Sequence, residues 1–150
     1  MLQELYISPA FLTSSEWDEL SASIKFARAY QQTLIDTHWV GGNPDNDEVY
    51  GWAAWRRSSV EVAGTSGNNH SCTLTLRNPS LHSRSLQLEP TAIFELPHFV
   101  SESVATFDLQ SVYAEQRVRK VTLRVGQQTT LTFAPYEVLS FQGSVHEATG

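Results

Sequence analysis

The sequence predicts a mainly β fold: one long amphipathic α-helix, then an antiparallel β-sandwich of the Greek-key or immunoglobulin-like kind. Three observations predict it. Apolar residues recur every three or four positions between Trp17 and Leu34, the period of a helix face. From Val49 onward the period falls to two, the signature of strands with one buried face. Turn chemistry then separates the apolar runs, and no long helical segment intervenes to build parallel βαβ units.

Residues 2–7, Leu-Gln-Glu-Leu-Tyr-Ile, read as a short strand. Pro9 closes it because proline has no N–H to give to a ladder. No hairpin partner follows. The helix is predicted over residues 14–35, with Thr13 as N-cap and Glu16 three residues later completing a capping box. Trp17, Leu20, Ile24, Ala27, Tyr30 and Leu34 share one face; Asp18, Glu19, Ser23 and Arg28 share the other. A helix of that length spans ~33 Å, long for such a chain, so its apolar stripe needs a surface to cover. Asp36 to Pro44 then reads as helix exit and linker, broken by Gly41, Gly42 and Pro44.

The strands follow. Val49 to Trp55 is rich in strand formers. Alternation marks Cys72-Leu74-Leu76, Leu86-Leu88, Ala105-Phe107-Leu109, Val121-Leu123-Val125 and Leu131-Phe133, and Tyr136 to Phe141 is a final apolar run. Turns fall at residues 64–69, Asn78-Pro79-Ser80, Gly126-Gln127 and Ala134-Pro135. Gly126-Gln127 is predicted to close a tight two-residue hairpin. Thr91 to Leu96 reads as a short helical turn. The sandwich is assigned to residues 49–143, after a linker at 41–48, with a tail at 144–150.

Composition narrows the function classes. Apolar residues make up 41% of the 150 and charged residues 17%, a folded rather than a disordered balance. The net charge is -6 and the ten basic residues are scattered, which argues against nucleic acid. Arg117, Arg119 and Lys120 are expected to line the wet side of a strand. One cysteine, Cys72, allows no internal disulfide, and its place beside Leu74 and Leu76 predicts a buried thiol. No apolar run reaches the ~20 residues of a membrane span. Met1 to Tyr6 lacks the basic start and apolar stretch of a signal peptide, so the compartment is left open.

Four constellations could carry chemistry. Trp39, Tyr50, Trp52 and Trp55 cluster in sequence; Trp39, Trp52 and Trp55 are candidates for carbohydrate stacking, against a reading in which the rings wedge between helix and sandwich. Asn43-Pro44-Asp45-Asn46-Asp47-Glu48 is oxygen-rich, but Glu48 stands where a calcium loop needs Gly, and Ala54 where it needs Glu. An exposed turn is expected there, and no metal or cofactor. Asp36 and His38, with Glu4, are weak candidates for acid–base work. No pair of carboxylates in the sequence can be assigned to flank a glycosidic bond. Asn69-His70-Ser71 fits a glycosylation acceptor, whereas Asn78-Pro79-Ser80 is excluded by its proline.

An ordered set of segments carries a resemblance. It runs Leu2-Gln3-Glu4-Leu5-Tyr6-Ile7, Trp17-Asp18, Asp36-Thr37-His38-Trp39-Val40-Gly41-Gly42-Asn43-Pro44, Glu48-Val49-Tyr50-Gly51-Trp52-Ala53-Ala54-Trp55, Leu74-Thr75-Leu76-Arg77-Asn78-Pro79, Phe94-Glu95-Leu96-Pro97 and Ala134-Pro135-Tyr136-Glu137-Val138-Leu139. In this order they resemble the C-terminal end of bacterial glycosidase-like proteins of the α-galactosidase type, often labelled enterotoxins. Order and spacing carry the likeness more than any one motif. The resemblance implies a (β/α)₈ barrel bearing the catalytic carboxylates, followed by a Greek-key sandwich. Residues 1–40 would then be a barrel remnant, with 2–7 its last strand and 14–35 its last helix. Barrel sites form at the C-terminal ends of strands, so Glu4, Tyr6, Asp36 and His38 would be peripheral. Two departures stand out: residues 56–70 are longer than that connection usually is, and Asn43 replaces a more usual Asp.

Three readings follow. The first is a non-catalytic accessory domain of a glycoside hydrolase-like protein, partnered by an upstream barrel or by a second copy through the helix. By resemblance its parent would be secreted or periplasmic. The second is a stand-alone carbohydrate-binding module. The third is a small hydrolase using Asp36, His38 and Glu4.

Overall fold

The computed structural model of the chain describes residues 8–56, 70–101 and 104–147. The expected first strand at 2–7, the long connection at 57–69 and the tail end at 148–150 lie outside them. The order of elements is α1 (Ser14–Ala29), β1 (Thr37–Gly41), β2 (Tyr50–Arg56), β3 (His70–Arg77), β4 (Arg84–Leu88), α2 (Pro90–Ile93), α3 (His98–Ser101), β5 (Val104–Ser111), β6 (Lys120–Arg124), β7 (Thr129–Phe133) and β8 (Val138–Glu147). The fold is mainly β, with all strand pairs antiparallel.

Helix α1 starts as its sequence dictates. Glu16 accepts from the Thr13 backbone N–H at 2.7 Å, and the Glu16 N–H donates back to Thr13 Oγ1 at 3.4 Å. That closes the capping box. The helix ends at Ala29 rather than at residue 35, with Tyr30 as its C-cap. Beyond Tyr30 the apolar spacing continues, but Thr33 leaves the helix path. It is buried and shares a 2.6 Å hydrogen bond with Ser71. The tertiary partner overrides the period there.

The strands form a six-stranded sheet in the order β1-β2-β3-β8-β5-β6 and a two-stranded sheet, β4-β7. Chain alternation gives the large sheet one apolar face: Val40, Ala53, Leu74, Leu76, Phe107, Leu109, Leu123, Leu139, Phe141 and Val145 are all buried. Leu88, Leu131 and Phe133 of the small sheet join the same core cluster, so the two sheets enclose one core. Phe94, after α2, stacks on Phe107 with ring centroids 4.4 Å apart, which pins the α2 segment over the inner face.

Three boundaries differ from expectation. Thr37–Gly41 is a strand paired residue for residue with β2, so the sandwich begins at Thr37 and not at 49. The glycines that read as breakers end β1 instead: Gly41, at φ +89°, lies so close to Val49 O that a Cβ would collide with it. The strand expected to end before 143 runs to Glu147, with Ser144–Val145 paired to His70–Ser71. The turn at Gly126 is not a two-residue hairpin. Gln127 N–H donates to Arg124 O at 3.0 Å with Gly126 at φ +77°, and the turn passes the chain from one sheet to the other.

The outer face of the large sheet is partly covered. Ala54, Thr73 and Ser140 lie on it and are buried. The α1 segment is tied to this side at two points, Ser23 to the Tyr113 hydroxyl at 2.8 Å and Thr33 to Ser71. No residue of α1 itself is buried.

Candidate functional site

The β1–β2 edge of the large sheet carries chemistry-bearing side chains on both faces, and strand register sorts them. His38 lies opposite Ala53 and so on the inner face, where Trp55 also belongs; Trp39 lies opposite Trp52 on the outer face.

On the inner side, His38 stands between two carboxylates. Its Nδ1 is 3.0 Å from Glu95 Oε2, and its Nε2 is 3.7 Å from Asp36 Oδ2. The ring is 17% exposed, whereas Asp36 and Glu95 reach solvent. Asp36 is delivered by the turn leading into β1. Glu95 is delivered by the end of α2, where the backbone enters the left-handed region at φ +47°, a common helix stop. An open cavity of about 420 Å³ is lined here by Gln32, Asp36, His38, Trp55, Arg56 and Glu95. Arg56 is turned to Gln32, donating at 3.2 Å.

This arrangement offers a carboxylate to each of the two ring nitrogens of His38 and so fixes the direction of the ring. Glycoside cleavage asks for its acids on either side of a substrate bond. Such a site needs two carboxylates facing one bond, about 5–9.5 Å apart. Here Asp36 and Glu95 address opposite nitrogens of one ring, so the imidazole stands between the two acids. Among the described residues no serine, threonine or cysteine lines the cavity. Of the residues singled out from sequence, Asp36 and His38 meet, and Glu4 lies outside the described residues. Glu95 was missed because it is distant in sequence and its direction depends on a left-handed backbone position that no motif announces.

On the outer face Trp39, Tyr50 and Trp52 form one cluster. Trp39 stacks on Tyr50 at 5.3 Å and 11°, and Trp52 stands edge-on to both, at 5.7 Å and 5.8 Å. Trp39 keeps 50% of its surface exposed and Trp52 38%. Trp55, the third tryptophan of the sequence cluster, is on the other face and packs against the core. Trp39 and Trp52 keep much of their surface exposed, and Trp55 is partly buried on the inner face, away from the side to which α1 is tied.

A third group has the composition of a nucleophile–base–acid triad. Asp108 Oδ2 is 3.1 Å from His146 Nε2, and Ser144 Oγ is 3.3 Å from the same nitrogen. A working triad divides those partners between the two ring nitrogens. Asp108 is also held by Thr122 at 2.7 Å, and the group stands exposed on flat sheet. It is a cross-strand polar cluster.

The acidic turn satisfies itself. Glu48 Oε2 accepts from Asn43 N–H at 2.6 Å, and Asn43 Oδ1 accepts from Asp45 N–H at 3.0 Å. Among the described residues no group of three or more His, Cys, Asp or Glu side chains is placed to hold a metal ion. No helix among them is long and apolar enough to cross a membrane. Cys72 is buried, and its thiol is pushed up to about 12, by burial first and then by the Asp108 charge.

No protein-family profile matches the chain, and no curated protein matches it. Among solved structures, a Bacillus halodurans C-125 protein assigned as an alpha-N-acetylgalactosaminidase is similar over 72% of this chain, at 16% identity and a TM-score of 0.45. The chain spans only 20% of that protein's length. A likeness at this level fixes neither a shared fold nor a shared activity.

Proposed function

We propose that this chain is a non-catalytic β-sandwich module of a glycoside hydrolase-like protein, seated against a catalytic barrel through its α1 side. One observation carries the reading: α1 has a continuous apolar stripe and no buried residue. Trp17 is 42% exposed, and Leu20, Ile24 and Ala27 are only half-buried. A stripe left half-covered by its own sheet suits a helix with a further neighbour. The ordered resemblance to the α-galactosidase type supplies the class of that neighbour. The His38 centre supports the same reading from the chemical side, because its two acids are both spent on one imidazole.

With β1 inside the sandwich, the part belonging to the barrel contracts to residues 1–36. The purified chain should hydrolyse aryl α-galactosides no faster than buffer does. Turnover that His38→Ala abolishes would instead make it a small hydrolase. The coding sequence on the 5′ side of the Met1 codon provides the second test: an open frame encoding barrel strands is expected there.

A further inference from the structure

We infer that the outer-face cluster of Trp39, Tyr50 and Trp52 is a carbohydrate site that stacks one hexopyranose ring, with Arg77 donating to the sugar hydroxyls. The inference does not rest on the accessory-module reading, since a chain in either role could carry it.

Apart from Val138, which stands exposed beside Arg77, the described outer face is elsewhere polar or covered. Thr37, Thr75, Gln142 and Ser144 occupy it, and Ala54, Thr73 and Ser140 are buried beneath neighbours. Among the described residues it presents large rings to water only at β1–β2. Gly41, opposite Tyr50, contributes no side chain, so the Trp39 ring leans across and stacks on Tyr50. The edge-on Trp52 braces both rings. Mutual packing of this kind stabilises a strand pair, and it also fixes the rings before any ligand arrives. It does not account for the half of Trp39 that stays exposed.

Size selects the occupant. An aromatic side chain offers about 150–250 Å², so these partly exposed rings present on the order of 200–300 Å². A stable protein partner takes about 800 Å² from each side. Neighbouring strands lie about 4.8 Å apart, so rings on two strands match the width of one pyranose. The C–H face of a pyranose packs on an aromatic face, and its hydroxyls at the rim require donors and acceptors. Arg77 stands opposite Tyr50 on the next strand, exposed, with no partner among the described residues. It supplies several N–H donors in a planar fork.

The experiment titrates the full chain with methyl galactoside, glucoside, mannoside and N-acetylglucosaminide, and with short oligomers of each, following tryptophan fluorescence and melting temperature. At least one should give a saturable change that added salt leaves intact, because the ligand is neutral. Trp39→Ala and Trp52→Ala should each weaken it by about tenfold or more, and Arg77→Met by a smaller factor. Phe11→Ala removes an exposed ring elsewhere and should leave binding unchanged. Should an alanine variant fail to fold, Trp39→Phe and Trp52→Phe keep the packing and should still weaken binding. Absence of binding by the native chain to every sugar overturns the assignment. So does native-like affinity in a folded variant lacking both Trp39 and Trp52.

Discussion

Asn78 is the residue whose replacement tests the packing most sharply. It sits just past β3, fully buried, at the point where the β3–β4 connection crosses the β7–β8 turn. Its side-chain N–H₂ donates to His82 O and to Ala134 O, each at 2.8 Å, and its Oδ1 accepts from Ser80 N–H at 3.0 Å. Its own backbone N–H donates to Glu137 O at 2.9 Å. One amide thus joins two connections that sequence separates by 56 positions. Asn78→Ala removes all three side-chain bonds. At about 1 kcal/mol net for each, the ceiling is about 3 kcal/mol. His82 and Ala134 are exposed and their carbonyls can recover water, whereas the buried Ser80 N–H cannot, so about 2–3 kcal/mol is expected. For a chain of this size that is a loss of roughly 4–12 °C in Tm. Asn78→Asp is the decisive companion. It keeps the shape but turns an oxygen toward two carbonyls, so at neutral pH it should melt no higher than the alanine variant. It should recover in part when acid protonates it. Thermal melts followed by circular dichroism provide both values. An aspartate variant melting within about 1 °C of the native chain at neutral pH would show that shape, not donation, holds the crossing.

Acid should loosen the same crossing. Burial opposes ionisation of Glu137, but hydrogen bonds from Arg117 and the Ala134 N–H, with the Arg117 charge, outweigh it and hold its pKa below the ordinary 4.5. A depressed folded pKa contributes stability above pH 4.5 that is lost as pH falls through the folded value. Urea melts between neutral and acid pH should show that fall in the native chain and a flatter profile in Arg117→Met. Cys72 should resist a thiol reagent at mildly alkaline pH in the folded chain and react fully once denatured; labelling of native protein would contradict its burial. Gly143→Ala should cost about 1–3 kcal/mol, because its Cβ would run into Asp108 O across the β5–β8 pair. Gly126→Ala meets no atom and strains only a left-handed backbone, so it should cost about 1–2 kcal/mol in the same melts.

Much of the fold was legible because its signals are local. The capping box, the alternation in Cys72-Leu74-Leu76 and Leu131-Phe133, and the helical turn near Thr91 each depend on a few adjacent residues. Three boundaries escaped because glycine carries two meanings. Gly41 read as a linker but permits close approach at a strand end, and the sandwich assigned to end at residue 143 runs on because Gly143 lets β5 and β8 touch backbone to backbone. Gly126 read as a hairpin, yet only pairing could show that β6 and β7 lie in different sheets. The candidate site was half legible. Asp36 and His38 are neighbours in sequence, so their meeting needed no fold, whereas Glu95 needed both the α2 stop and the Phe94 stack to face His38.

The tryptophan cluster shows why period two was the informative quantity. Trp39, Trp52 and Trp55 look like one aromatic group when only spacing along the chain is counted. In a strand, however, residues 52 and 55 differ by an odd number and must point to opposite faces. That parity already separates Trp55 from Trp52 before any coordinates. Pairing of residue 39 with 52 then decides which face Trp39 joins. The result is a division of labour across a single sheet edge. On the inner side Trp55 packs against the core, and His38 is held between Asp36 and Glu95. On the outer side two tryptophans and a tyrosine hold one another rigid and stay open. A face that is rigid, apolar and exposed is suited to holding a ligand. A face whose charges are already paired is suited to holding the edge of the sheet in place. That contrast is the ground for the recognition proposed at Trp39 and Trp52, and the sugar titration of the Trp39 and Trp52 variants is its test.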